Sequence, residues 1–121
     1  MKFLRIYEDE AGDSYFGWVE YPMKLIDAAP PAKPVYFSQP MPASKWSSVR
    51  CPRDWDGGLH AAPQRQLLIC TSGSLRMTTS LGDHRQLVPG TAILVEDTKG
   101  KGHVSEVTSD HPFEAIVIGL E

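Results

Sequence analysis

Apolar and polar positions alternate in short runs along the chain, and turn residues break the runs at nearly even intervals. Lys2 to Tyr7 and Ser14 to Tyr21 are two β-prone runs around Asp9-Glu10-Ala11-Gly12-Asp13. Gly and Asp there tolerate the dihedrals of a reversal, so an N-terminal hairpin is predicted. Ser44 to Cys51 predicts another strand, and Arg53 to Gly58 a turn rich in Asp and Gly. Six further runs follow: Arg65 to Thr71, Ser74 to Thr79, Arg85 to Val88, Ala92 to Glu96, His103 to Thr108 and Phe113 to Leu120. Ser72-Gly73, Leu81-Gly82-Asp83, Pro89-Gly90, Lys99 to Gly102 and Asp110-His111-Pro112 separate them. Short, evenly spaced strands with glycine turns indicate a sandwich or barrel. No window sustains an apolar period of 3.6 residues, so little helix is expected.

Six of the ten prolines fall between Pro22 and Pro42. Proline removes a ladder donor and fixes φ, which argues against a central strand or a long helix there. Val35-Tyr36-Phe37 predicts one short edge strand. The rest is expected to be an ordered loop that crosses the barrel surface and partly covers its mouth. The hairpin is too small to be a domain, so the chain reads as one domain, 1–121: hairpin 1–21, Pro-rich loop 22–43, barrel 44–121. A chain of 121 residues and 13.4 kDa fits a single core.

Charge changes the picture only by exclusion. The net charge is -3 and no Lys/Arg block occurs, which argues against nucleic acid or an anionic membrane as partner. The N-terminal apolar run is too short for a signal peptide, and no run approaches the roughly 20 residues of a membrane span. Two cysteines, Cys51 and Cys70, are too few for a disulfide scaffold. Reduced thiols in a cytoplasmic protein are expected, each packing as a small apolar side chain.

The stretch from Gln64 to His103 carries the candidate chemistry, with His60 just before it and His103 closing it. The pattern resembles the two motifs of the cupins. In the first, His60 takes the place of the leading histidine, Ala62 that of the second histidine, Gln66 that of the glutamate and Gly73 that of the closing glycine. Gly100-Lys101-Gly102-His103 resembles the end of the second motif, and Pro89-Gly90-Thr91 the turn before the following strand. Arg5 to Gly12, His60 to Gln66 and Glu96 to His103 are also similar to "RIYxDExG", "HxAPxRQ" and "EDTxGKGH" segments of a subgroup of small single-domain cupins. The resemblance implies an all-β cupin-type double-stranded β-helix (jelly-roll) barrel with an N-terminal β-hairpin.

Strand parity then places side chains. If His60 faces inward, Ala62 does too, and the change of spacing at Pro63 brings in Gln66, Leu68 and Cys70; His103, Ser105 and Val107 share one face. Two of the four usual metal-ligand positions differ, because Ala62 has no donor and Gln66 is uncharged. The resemblance implies a site of His60, Gln66 and His103 for one divalent metal (Fe, Mn, Ni or Zn), with Gln64, Glu96 or Asp97 supplying a missing oxygen. Asp97 and Thr98 are also expected to bond the loop backbone and fix the approach of His103. Trp55 is expected at the cavity mouth, Ser105 in the wall, and Arg76 facing in as an anion contact or outward in a surface ion pair. Gln64 belongs to the same cavity set. Arg65 is expected outside, and His84 and His111 in solvated loops.

Three functional readings follow. The first is a metal-dependent oxygenase or isomerase acting on a small polar or anionic substrate. The second is a metal-free barrel in which the histidines bind a ligand or exchange protons. The third is a site that has lost its function. A small-molecule ligand is the expected partner. A homodimer is also expected, implied by the resemblance and by Tyr15, Phe16 and Trp18, which one small barrel does not bury alone.

Overall fold

The alternating runs become strands in a computed structural model that describes residues 1–120. In chain order they are β1 (Lys2–Glu8), β2 (Ser14–Glu20), β3 (Met23–Ile26), β4 (Val35–Ser38), β5 (Ala43–Cys51) and β6 (Gln66–Ser72). Then follow β7 (Leu75–Thr79), β8 (His84–Leu87), β9 (Ala92–Val95), β10 (His103–Val107) and β11 (Phe113–Leu120). No helix occurs among the described residues, and none is long and apolar enough to cross a membrane.

Two sheets form the body. A six-stranded sheet runs β2-β1-β9-β6-β11-β5, and a three-stranded sheet runs β10-β7-β8. Most neighbours are antiparallel; β1 and β9 run parallel, with Leu4 beside Ile93 and Ile6 beside Val95. Period-two alternation sends one set of side chains between the sheets. From the large sheet come Leu4, Ile6, Leu68, Cys70, Ile93, Val95, Phe113 and Ala115. Leu75, Met77 and Leu87 face them from the small one. This is the expected all-β jelly roll of cupin type, but as two facing sheets and not a closed barrel, because β2 and β5 remain free edges.

The proline-rich segment departs from expectation. It holds two strands, not one, and β3 pairs with β4 as a separate hairpin arm, Met23 opposite Ser38 through Ile26 opposite Val35. The prolines bracket these strands without entering them, so every ladder donor survives. The arm neither crosses the jelly roll nor covers the cavity mouth: all its residues except Ser38 are exposed. In the N-terminal hairpin, Phe16 packs against the core while Trp18 stays 66% exposed.

Ile6 is fully buried at the parallel β1–β9 junction. Ile6→Ala is expected to lower unfolding stability by about 2–5 kcal/mol through lost transfer energy and the cavity left behind. Urea titration followed by circular dichroism measures this, and a loss below about 1 kcal/mol would contradict the packing.

Candidate functional site

His60 and His103 meet because the segment after β5 runs along the free edge of β10. Val107 donates its N–H to the Trp55 carbonyl at 2.9 Å, and Gly57 donates to Ser105 at 2.8 Å. His60 and His103 exchange both backbone hydrogen bonds, at 3.0 and 2.9 Å. Gly102 lies under this crossing with φ +80°, and a Cβ there would sit 1.9 Å from the His60 carbonyl oxygen. Only glycine fits both the dihedral and the space.

The loop before His103 is held by the N-terminal hairpin. The Glu8 carboxylate accepts N–H bonds from Lys99 and Gly100, and Lys101 donates its N–H to the Gly12 carbonyl at 2.8 Å. Ser14 Oγ donates to the Gly102 carbonyl at 2.8 Å. Asp13 pairs with Lys101 at 2.9 Å, and hydrogen bonds from Lys101 and Ser80 hold its carboxyl below the usual range. The stretches Arg5 to Gly12 and Glu96 to His103 are thus two halves of one contact.

The cavity between the sheets has a volume of about 200 Å³. Its polar lining is His60, Gln66, His103 and Ser105, with Trp55 beside them. Its apolar wall includes Leu68, Leu75, Met77, Val95, Phe113 and Val117. His103 is buried, whereas His60 is exposed at the rim. Their ring centroids lie 5.1 Å apart.

Both imidazoles are fixed through Nδ1. His103 Nδ1 lies 2.5 Å from the Oδ2 of Asp97, which is fully buried. His60 Nδ1 lies 2.9 Å from the Gly58 carbonyl oxygen. A carbonyl only accepts, so Nδ1 of His60 carries the hydrogen; the carboxylate draws the Nδ1 hydrogen of His103 in the same way. In each neutral ring Nε2 is left with the lone pair. Asp97 Oδ1 has no hydrogen-bond partner among the described residues, so the carboxylate is committed to the histidine on one side alone.

Other candidate residues lie elsewhere. Gln64 stacks over Gly119, where its Nε2 would meet an added Cβ at 2.8 Å. It does not line the cavity. Arg76 faces outward and pairs with Glu106 at 3.0 Å across β7 and β10, so the cavity is lined by no lysine or arginine. Glu96 supplies no oxygen to the cavity, because Arg5 and Arg65 hold its carboxylate outside. Burial raises the Glu96 pKa, but the two guanidiniums outweigh it and hold the carboxyl below its usual range. His84 and His111 are exposed. Cys51 lines the cavity and Cys70 is core; burial pushes both thiols upward, away from nucleophilic thiolate. Sequence reasoning took Asp97 as a backbone contact or spare oxygen donor. Its side-chain bond to His103 is the contact that reading missed, and the nearest signal was the acid six residues before the histidine.

A cupin-type fold raises the question of a metal. The lining offers two imidazole nitrogens and one neutral amide, while Asp97 stands behind His103 on Nδ1. No cluster of three His, Cys, Asp or Glu suited to a metal occurs among the described residues. Resident metals are usually held by three or more strong ligands. This donor set falls short of that and brings no negative charge, so it does not fit a tightly held ion.

No known family model matches the chain, and neither does any curated protein. Several solved structures are similar to it. One is a conserved protein of unknown function from Streptococcus pyogenes, with 13% identity and a TM-score of 0.47 over 63% of this chain and 62% of that one. Another is a cupin domain from Bordetella pertussis, with 19% identity and a TM-score of 0.48 over 63% and 79%. A third is a protein from Neisseria meningitidis, with 15% identity and a TM-score of 0.48 over 85% and 88%. These likenesses add no activity.

Two outcomes test the geometry. Gly102→Ala is expected to cost about 2–4 kcal/mol, through positive φ and the forced retreat of His60. Urea unfolding measures the loss, and an unchanged midpoint would mean that the crossing is looser than described. For Glu96 the folded pKa is depressed, so its stabilisation is present above the ordinary value of 4.5 and lost as pH falls through the folded value. Glu96→Gln is therefore expected to be less stable than the unmodified protein at pH 7, with the gap closing in acid. Parallel melting curves from pH 7 to pH 3 read this; a gap that widens in acid would reverse the sign.

Proposed function

We propose that the cavity binds a compact, largely apolar small molecule by one polar end, with Nε2 of His103 as the principal contact. The observation that carries this is the buried Asp97 carboxylate bonded to His103 Nδ1 at the polar end of an otherwise apolar chamber. A histidine that were only filling core would not need a buried carboxylate to set its tautomer. Few convergent polar groups in an apolar hollow are the usual composition of a small-molecule site. A volume of about 200 Å³ restricts the ligand to a small compound. With no cation in the lining, a neutral polar group suits the chamber better than a free anion.

The chemistry offered is acceptance of a hydrogen bond or a proton at His103 Nε2. His60 stands at the rim to accept or donate a second one, while Gln66 and Ser105 orient the ligand. Turnover, if the ligand undergoes any, is proton transfer of the isomerase kind; without turnover the same contacts make a binding or sensing domain. The competing reading places a weakly held divalent metal on His60, His103 and Gln66, and its support is the pair of free Nε2 atoms. The free thiols of Cys51 and Cys70 suit a reducing, cytoplasmic setting.

The test is a fragment screen by chemical shift on the untagged protein, using small ketones, hydroxy compounds, amides and carboxylic acids, with elemental analysis of the same sample. Ligands that shift the Leu68, Met77 and Val95 methyl signals are expected, with affinity falling at least about tenfold in His103→Ala. Retained affinity in that variant, or no ligand from any class, would sink the proposal. Uptake of Fe, Mn, Ni or Zn on incubation that disappears in His60→Ala/His103→Ala would establish the competing reading instead.

A further inference from the structure

The polar groups in the cavity lining are unequal as hydrogen-bond partners. His103 is 5% exposed and its Nδ1 is committed to Asp97. His60 Nδ1 is committed to the Gly58 carbonyl. Each neutral ring therefore presents a bare acceptor, Nε2, which has no hydrogen-bond partner among the described residues. Gln66 and Ser105 offer the opposite capacity as well. The amide carries two N–H donors and the hydroxyl carries one. Neither side chain has a partner among the described residues, and Ser105 is 6% exposed. Buried polar groups are costly when left unpaired, so a ligand that pairs all of them is favoured over one that pairs a part.

We infer that the ligand is a neutral hydroxyl compound, an alcohol or a phenol, and that its carbonyl and ether counterparts are rejected; this rests on the cavity being a ligand site. A hydroxyl donates to Nε2 of His103 and accepts from Ser105 or Gln66 through the same oxygen. A ketone, aldehyde or ether accepts from Ser105 or Gln66, but it sets oxygen lone pairs against Nε2 and leaves that nitrogen unpaired. A carboxylate does the same and adds negative charge to a chamber whose lining has no lysine or arginine. An ammonium donates well, but the lining holds no carboxylate to replace its hydration. An amide spreads donor and acceptor over two heavy atoms, whereas the rest of the wall is Leu68, Leu75, Met77, Val95, Phe113 and Val117. The hydroxyl is the head that joins both capacities at one atom.

The selecting residue is Asp97, which touches no ligand. Its buried carboxylate holds the hydrogen of His103 on Nδ1 and so makes Nε2 an acceptor. With the hydrogen on Nε2 instead, the same ring would favour a carbonyl. Asp97 is thus a positioning residue that sets specificity.

Matched pairs test this on the full chain: cyclopentanol against cyclopentanone, and benzyl alcohol against benzaldehyde. They are titrated at pH 8, above the ordinary imidazole value of about 6.5, and followed on the Leu68, Met77 and Val95 methyl signals. Each hydroxyl compound is expected to bind at least about tenfold more tightly than its carbonyl partner. In the unliganded protein, the nitrogen-15 shift of His103 Nε2 is expected to be that of a nitrogen without hydrogen. Asp97→Ala is expected to narrow the ratio within each pair. Equal or reversed affinity in the unmodified protein, a hydrogen on His103 Nε2 at pH 8, or an undiminished ratio in Asp97→Ala overturns the inference. Binding without a hydroxyl preference leaves the cavity a ligand site and sinks only the class; no binding by any of the four compounds sinks both. Should Asp97→Ala fail to fold, the nitrogen-15 spectrum and the affinity ratios of the unmodified protein decide.

Discussion

The site depends on one close approach. Gly102 passes beneath the peptide of His60 with no room for a side chain, and the two histidine backbones bond to each other directly above it. Neither histidine belongs to the other's neighbourhood in sequence. The loop before His103 is also pinned from the opposite side by Glu8, Gly12, Asp13 and Ser14. The N-terminal hairpin is therefore part of the machinery of the cavity, although its tip contributes no side chain to the lining.

Given that crossing, the electrostatics follow. Asp97 gives up hydration to bond one imidazole nitrogen, which leaves Nε2 as the free nitrogen of His103. Glu96, its chain neighbour, faces the other way and is taken by two arginines. Just beyond the end of β9, two adjacent acids are divided between an inner and an outer role, as alternation divides neighbours within a strand. The same alternation turns Arg76 out to Glu106 and removes the one cation that would have favoured an anionic ligand.

Much of the fold was legible in the sequence, because period two and glycine turns are local signals. The runs around Leu68, Met77, Ile93 and Phe113 became strands, and the parity that sends Gln66, Leu68 and Cys70 inward holds. What failed to show was non-local. Met23–Ile26 is too short and too near proline to be read as a strand until Val35–Ser38 pairs with it. Gln64 turns aside because Pro63 precedes it and Gly119 opens a space for its amide, which no pattern around residue 64 records. Asp97 reads as a loop acid until the turn of Gly100 to Gly102 folds His103 back toward it.

The order in which the chain is made gives the topology a further meaning. β1 emerges first, yet its inner neighbour β9 appears only after most of the chain has been synthesised. β5 has a single partner in the sheet, and that partner is the last strand, β11. During translation β5 and the greasy arm before it have nothing of their own to rest on, since long-range pairing must wait for both ends. Folding is therefore completed from the back, when Phe113–Leu120 slots between β6 and β5. Until that strand is in place β5 has no partner in the sheet, so β11 secures the far edge as well as forming a wall of the cavity.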